Sequence, residues 1–169
     1  MSYIDISQPI EGAPNFSWAE LCATNHRDFI ELNRQVPLAF QGAGIALAKM
    51  LQQVRDNFAR PLIVHSGYRR DELNTIIGGS KTSQHRKFEA ADFHIIGVPL
   101  AKVFAWVTDE SGLSYGQAIL EGWDPDNGDA SWLHLSLGHP FRAAEKSGQV
   151  WTMSTKRRKA GEKAYRQIR

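Results

Sequence analysis

Cysteine is nearly absent: Cys22 is the single one in 169 residues. That excludes an internal disulfide and any structural zinc site built from cysteines. Apolar runs are short, none approaching the roughly 20 residues that a membrane-spanning helix needs, so no span is expected. The opening stretch, MSYIDISQPIEG, has neither a basic n-region nor an apolar h-region, so no secretory leader is expected. The chain therefore reads as a soluble product of a reducing cytoplasm. Internal repeats and low-complexity linkers are also missing. With 42% hydrophobic and 22% charged residues, the composition is that of a globular protein, which excludes disordered, collagen-like and coiled-coil classes. The length suits one domain with a real core and no second one.

Charge is spread unevenly. Residues 142–169 carry nine Lys or Arg (Arg142, Lys146, Lys156, Arg157, Arg158, Lys159, Lys163, Arg166, Arg169) against Glu145 and Glu162, leaving a net −5 on residues 1–141. The expected division is a body of 1–141 and a basic C-terminal extension of 142–169. Such a tail is either solvated or a contact for an anionic surface. No recognition motif or interleaved aromatics accompany it, so a nucleic-acid partner is not expected.

Periodicity outlines the body. Ser17-x-x-Glu20 is a capping box opening a helix to about Thr24. After Pro37, the spacing of Leu47, Met50, Leu51, Val54 and Phe58 predicts a longer helix. Pro61 ends it, and Leu62–His65 reads as a buried strand. Arg70–Ile77 predicts a short helix closed by Gly78-Gly79. Ala90–Ile96 predicts a strand, and Pro99 opens a helix with Leu100, Val103, Phe104 and Val107 on one face. Gln117–Glu121 and Trp132–Leu137 flank the loop GWDPDNGDAS and predict an antiparallel hairpin. Without βαβ alternation, the expected class is α+β, helices packed on a small, mostly antiparallel sheet.

Reactive residue types cluster between Ser66 and Asp92 and again between Ser131 and Ser136. Catalytic zinc takes three protein ligands from His and carboxylate and keeps a fourth position open. His85 and Asp92 are too far apart for one helical turn, but they converge if His85 lies in a loop entering the strand of Asp92. His134, in mid-strand, reaches the same point if its strand is the neighbour. By spacing alone this trio stands out little from His26, His65, His94 and His139.

The wider pattern is more specific. Ser66-Gly67-Tyr68-Arg69, Leu73-Asn74, Gly78-Gly79, Ser83-Gln84-His85, Asp92 and Trp132-Leu133-His134-Leu135-Ser136 follow one another in order, behind Asn15-Phe16-Ser17 and Glu20-Leu21. Over roughly residues 14–137 the chain resembles the zinc D-Ala-D-Ala carboxypeptidase family of the hedgehog/DD-peptidase fold, in particular its small phage and prophage endolysin-type members. The resemblance implies His85, Asp92 and His134 as zinc ligands. It implies Arg69 as the group that receives a substrate carboxylate or carbonyl, suited by its permanent charge and paired donors. Ser83 becomes a substrate anchor or a loop cap, Gly78-Gly79 and Tyr68 scaffold, and Asn74 a brace between helix and loop. The implied substrate is the peptide stem of peptidoglycan, cut at a D-Ala–D-Ala or L-Ala–D-Glu type bond by a monomer that reaches the wall after release or as a virion component.

Two departures stand out. Many relatives carry a carboxylate three residues before the last histidine, where this chain has Ser131. Glu121 and Asp129 remain as candidates for the general base. Pairing Glu121 with Trp132 puts Ile119 opposite His134 and turns residues 117, 119 and 121 to the face of 132, 134 and 136, which favours Glu121. Relatives also carry a small residue, typically glycine, where this chain has Phe88. That ring either reshapes the pocket or marks a different loop. Both departures keep open an alternative, a phage structural or wall-binding module that retains the fold without catalysis.

Overall fold

In the computed structural model, residues 2–124, 126, 130–154 and 165–167 are described, those from 153 onward by backbone alone. The helices are α1 (Trp18–Leu21), α2 (Ile30–Asn33), α3 (Gln41–Phe58), α4 (Asp71–Ile76) and α5 (Leu100–Asp109). The strands are β1 (Leu62–Ser66), β2 (Ala90–Ile95), β3 (Tyr115–Trp123), β4 (Trp132–Leu137), β5 (Gln149–Ser154) and β6 (Tyr165–Gln167). They form one six-stranded sheet in the order β1-β2-β4-β3-β5-β6. Every pairing is antiparallel except β3 with β5. This is the α+β architecture expected. The first strands after residue 141 join that same sheet. Among the described residues, no helix is long and apolar enough to cross a membrane.

Local chemistry explains the helix ends. Ser17 and Glu20 exchange the two bonds of a capping box, Ser17 Oγ accepting from the Glu20 N–H and the Glu20 carboxylate from the Ser17 N–H. The helix this opens is shorter than expected and ends at Leu21. Gln41–Phe58 buries Leu47, Met50, Leu51 and Val54 along the predicted stripe. Gly44 on that stripe lets aromatics in, since a β-carbon there would lie 2.6 Å from the Trp18 ring and 3.0 Å from that of Phe88.

The sheet has two unlike faces because side chains alternate along a strand. Ala91, Phe93 and Ile95 of β2, Leu133, Leu135 and Leu137 of β4, Ala118 and Leu120 of β3, and Val150 of β5 join the main core, against which α3 and α5 pack. The alternate residues, Asp92, His134, Ser136, Gln117, Ile119 and Glu121, therefore face the other way. One expectation is corrected: Leu62–His65 is no buried strand. β1 lies at the edge of the sheet, and only Leu62 within it is buried. Its run of apolar residues matches a buried strand in composition, but an edge position leaves its outer side uncovered.

Phe88 is the second finding. It adopts the left-handed conformation (φ 63°) that glycine would provide, yet its ring is fully buried in the core. There it meets Trp18 and Tyr68, with ring centroids 5.9 and 5.4 Å away. The backbone turn after His85 is thus kept and the side chain points into the core, leaving the pocket unobstructed.

Candidate metal centre

Three segments bring the ionisable residues together. His85 lies in a 3-10 turn, Gln84–Lys87, that leads into β2. Asp92 is on β2 and pairs directly with His134 on β4. All three side chains are buried, at 4–7% exposure. The Nε2 of His85, the Nδ1 of His134 and a carboxylate oxygen of Asp92 lie within 4.8 Å of one another. In detail, His85 Nε2 is 3.3 Å from both His134 Nδ1 and Asp92 Oδ1, and His134 Nδ1 is 2.8 Å from Asp92 Oδ1.

The donor set fits zinc. Ligands at 2.0–2.1 Å on a tetrahedron are separated by roughly 3.3 Å, and the three atoms are nearly so spaced. The outward nitrogen of each imidazole also has an acceptor. His85 Nδ1 is 2.7 Å from the Gly67 carbonyl, and His134 Nε2 is 3.3 Å from Gln84 Oε1. Protons held there leave His85 Nε2 and His134 Nδ1 as the lone pairs that face each other, the arrangement that metal-binding histidines need. Burial alone would push the Asp92 carboxyl up, but the adjoining imidazoles of His85 and His134 outweigh it and hold the group well below the usual carboxylate range.

The flanking segments position this group. Gly67 is indispensable sterically: a β-carbon would lie 2.1 Å from the Leu21 carbonyl oxygen. That same carbonyl accepts from the Tyr68 N–H, and the His85 carbonyl accepts from the Arg69 N–H. Buried Asn33 ties the segment from behind. Its Nδ2 donates to the carbonyls of Cys22 and Tyr68, and its Oδ1 accepts from the Arg70 N–H, each bond at 2.9 Å. Asn74 Nδ2 donates to the carbonyls of Gly79 and Ser80. Gly79 leaves room for this, since a β-carbon there would be 2.2 Å from Asn74 Oδ1.

Above the group lies a cleft of about 730 Å³ lined by His85, Asp92, His134, Arg69, Ser83 and Glu121, among others. Arg69 Nη2 is 3.5 Å from Asp92 Oδ2 and donates to Ser66 Oγ at 3.1 Å. It thus pairs with the buried Asp92 carboxylate and also faces the cleft. Ser83 precedes the turn of His85, and its side chain makes no capping hydrogen bond there. The hairpin register puts Glu121 opposite Trp132 and Ile119 opposite His134, which turns Glu121 to the cleft. Burial, and then the charge of Asp92, push the Glu121 carboxyl up, against the opposing influence of His134, Trp132 and Arg69. Asp129 lies outside the described residues. Ser131 stands beside Gly122, whose positive φ of 71° and missing side chain accommodate it.

Of the other histidines, His65 and His94 form a separate stacked pair, Nε2 to Nδ1 at 2.7 Å, and His26 and His139 are exposed. Sequence reasoning passed over Gln84, whose place beside His85 was its only signal, and Asn33, which had none.

Two buried imidazoles and a carboxylate converging under an open cleft define a metallohydrolase type of centre. Residues 15–123, well over half of the chain, match the family model described as Peptidase M15. The chain belongs to that family of zinc-dependent metallopeptidases. The match stops short of His134, which β4 supplies. No curated protein matches the chain.

Proposed function

We propose that the protein hydrolyses peptide stems of peptidoglycan, at a D-Ala–D-Ala or L-Ala–D-Glu type bond, as a lysin of the phage or prophage kind. The observation that carries this reading is the convergence of His85, Asp92 and His134 beneath a cleft that Glu121 and Arg69 also face. Zinc held by the three residues supplies Lewis-acid polarisation of a carbonyl and a more acidic hydrolytic water. Glu121 accepts the proton of the attacking water and delivers it to the leaving amine, and its place on the cleft face, diagonal to His134, suits that double role. Arg69, held by Ser66 and Asp92, keeps its charge and offers donors to a substrate carboxylate or carbonyl. Ser83, lining the same cleft, is free to anchor the peptide.

Digestion of purified muropeptides by the zinc-loaded protein tests the reading, with new amino termini as the readout. Cleavage that falls at least a hundredfold in Glu121→Gln supports it. An intact muropeptide pool in the presence of stoichiometric zinc refutes it and favours the second reading, a wall-binding module without catalysis. That second reading has Ser131 on its side, a hydroxyl where many relatives carry a carboxylate. It loses the support of Phe88, whose ring lies in the core.

The basic extension is proposed as an electrostatic contact with the anionic wall. Because β5 belongs to the sheet, the suitable test neutralises Lys156, Arg157, Arg158 and Lys159 to Gln and leaves the chain length unchanged. Unaltered wall binding at low salt would exclude that role.

A further inference from the structure

The end of the cleft remote from Arg69 is built by residues that follow the matched family segment. Across the sheet, Asp92, His134, Ile119 and Trp151 form one row on four adjacent strands. Trp151 on β5 therefore faces the cleft, two strand spacings or about 10 Å from β4, the length of about three extended residues. Its indole Nε1 is buried and has no hydrogen-bond partner among the described residues. That nitrogen has no surface to offer a ligand, so what Trp151 gives the cleft is the face of its ring.

Arg142 lines the same end of the cleft. Its stem crosses Gly116, where a β-carbon would lie 2.8 Å from Arg142 Cδ. The guanidinium is held from behind: Nε donates to the Lys146 carbonyl at 2.6 Å and Nη2 to Gln149 Oε1 at 3.1 Å. Gln149 Oε1 also accepts from Gln117 Nε2 at 3.0 Å, which ties the head group to the sheet. Neither bond uses Nη1, which has no hydrogen-bond partner among the described residues. Glu89 acts on Arg142 through charge. Of the acidic residues lining the cleft, Asp92 belongs to the metal end, and Glu121 on β3 lies diagonally across from both His134 and Trp151. Of the two cations lining the cleft, Arg69 and Arg142, it is Arg142 that stands at this end.

We propose that Arg142 and Trp151 form a subsite for a carboxylate-bearing residue of the peptide substrate, placed away from the bond that is cut. Arg142 receives the carboxylate, since a fixed guanidinium offers parallel donors to two oxygens, and the Trp151 ring walls the peptide beside it. The subsite rests on the peptidase reading above for the nature of its ligand. It makes the C-terminal segment a determinant of specificity.

The test is equilibrium binding by titration calorimetry to zinc-loaded protein carrying Glu121→Gln, which keeps the peptides intact. The probes are an acetylated Ala–γ-D-Glu–Lys tripeptide and the same tripeptide with the free α-carboxylate of Glu converted to a carboxamide. The carboxylate form is expected to bind at least tenfold more tightly. Adding Arg142→Gln should reduce that preference to within twofold while leaving the carboxamide affinity unchanged. Trp151→Ala, which removes the ring wall, should weaken both peptides about threefold. Equal affinities before any substitution at Arg142 overturn the proposal, as does an Arg142→Gln effect shared by both peptides or binding of neither. Should Arg142→Gln fail to fold, Arg142→Lys serves as the second variant: it keeps the charge but loses the parallel donors and should cut the preference to about threefold, while an undiminished preference, as Arg69 alone would give, overturns the proposal. Failure of the peptidase reading is read separately, as an intact muropeptide pool with the zinc-loaded protein that retains Glu121.

Discussion

Replacing Gln84 with Leu removes the acceptor for His134 Nε2 without touching a metal-binding atom. Gln84 joins two parts of the site: its Oε1 lies 3.3 Å from His134 Nε2, and its Nε2 donates to Ser136 Oγ at 2.9 Å. Ser136 keeps its other bond, from the Gln117 N–H at 2.8 Å, so the local fold should survive. What is lost is the contact that holds the His134 proton on Nε2 and the lone pair on Nδ1. Residues of this kind contribute about 10–100-fold to metal affinity. At 3.3 Å the bond is long and its acceptor neutral, which puts the effect near the lower end, about tenfold or about 1.4 kcal/mol. Competition against a chromogenic chelator measures zinc affinity directly, and ¹⁵N shifts of the His134 ring in the metal-free protein report the tautomer. Gln84→Glu keeps an acceptor and should restore most of the affinity. A zinc affinity within twofold of the parent in Gln84→Leu, or a Gln84→Glu variant as weak as Gln84→Leu, would refute the reasoning.

Other consequences can be checked independently. Phe88→Ala should lower unfolding free energy by about 3–5 kcal/mol, as for other large core rings; zinc affinity should be unchanged, because the ring faces Trp18 and Tyr68. Asn33→Ala should cost about 2–4 kcal/mol in denaturant unfolding, since it strands the Cys22 and Tyr68 carbonyls and the Arg70 N–H. Burial pushes the Cys22 thiol up to about 12, so thiol reagents at pH 8 should label it only after denaturation; rapid labelling of the native protein would contradict its placement. Above the ordinary thiol value the unfolded chain loses this proton and the native chain keeps it, so stability should fall by up to about 1.4 kcal/mol per pH unit from roughly pH 9 to 12.

Elements that depend on neighbours in sequence were legible. The capping box at Ser17 and Glu20, the stripe of α3 and the hairpin of β3 and β4 follow from contacts a few residues apart or from strict alternation. Alternation also turned Glu121 toward the face of His134, because a two-residue period and one cross-strand pair are enough to set a face. The ordered motif from Ser66 to Ser136 was enough to nominate His85, Asp92, His134 and Arg69.

Strand order, by contrast, is a property of the assembled sheet. It left β1 at an edge, where the run Leu62–His65 has water on one side, and inserted β4 between β2 and β3. That insertion brings His134 beside Asp92. It is also why a parallel strand from the C-terminal stretch carries Trp151 into the row of the metal group. The direction of Phe88 was equally hidden: its backbone turn is local, but its ring enters the core because Gly44, distant in sequence, leaves the space. Sequence alone determined which residues could do chemistry and which face of a strand they occupy, since both are set by residue type and short periods. Which of them meet was decided by the tertiary structure, because packing joins residues that no local spacing relates.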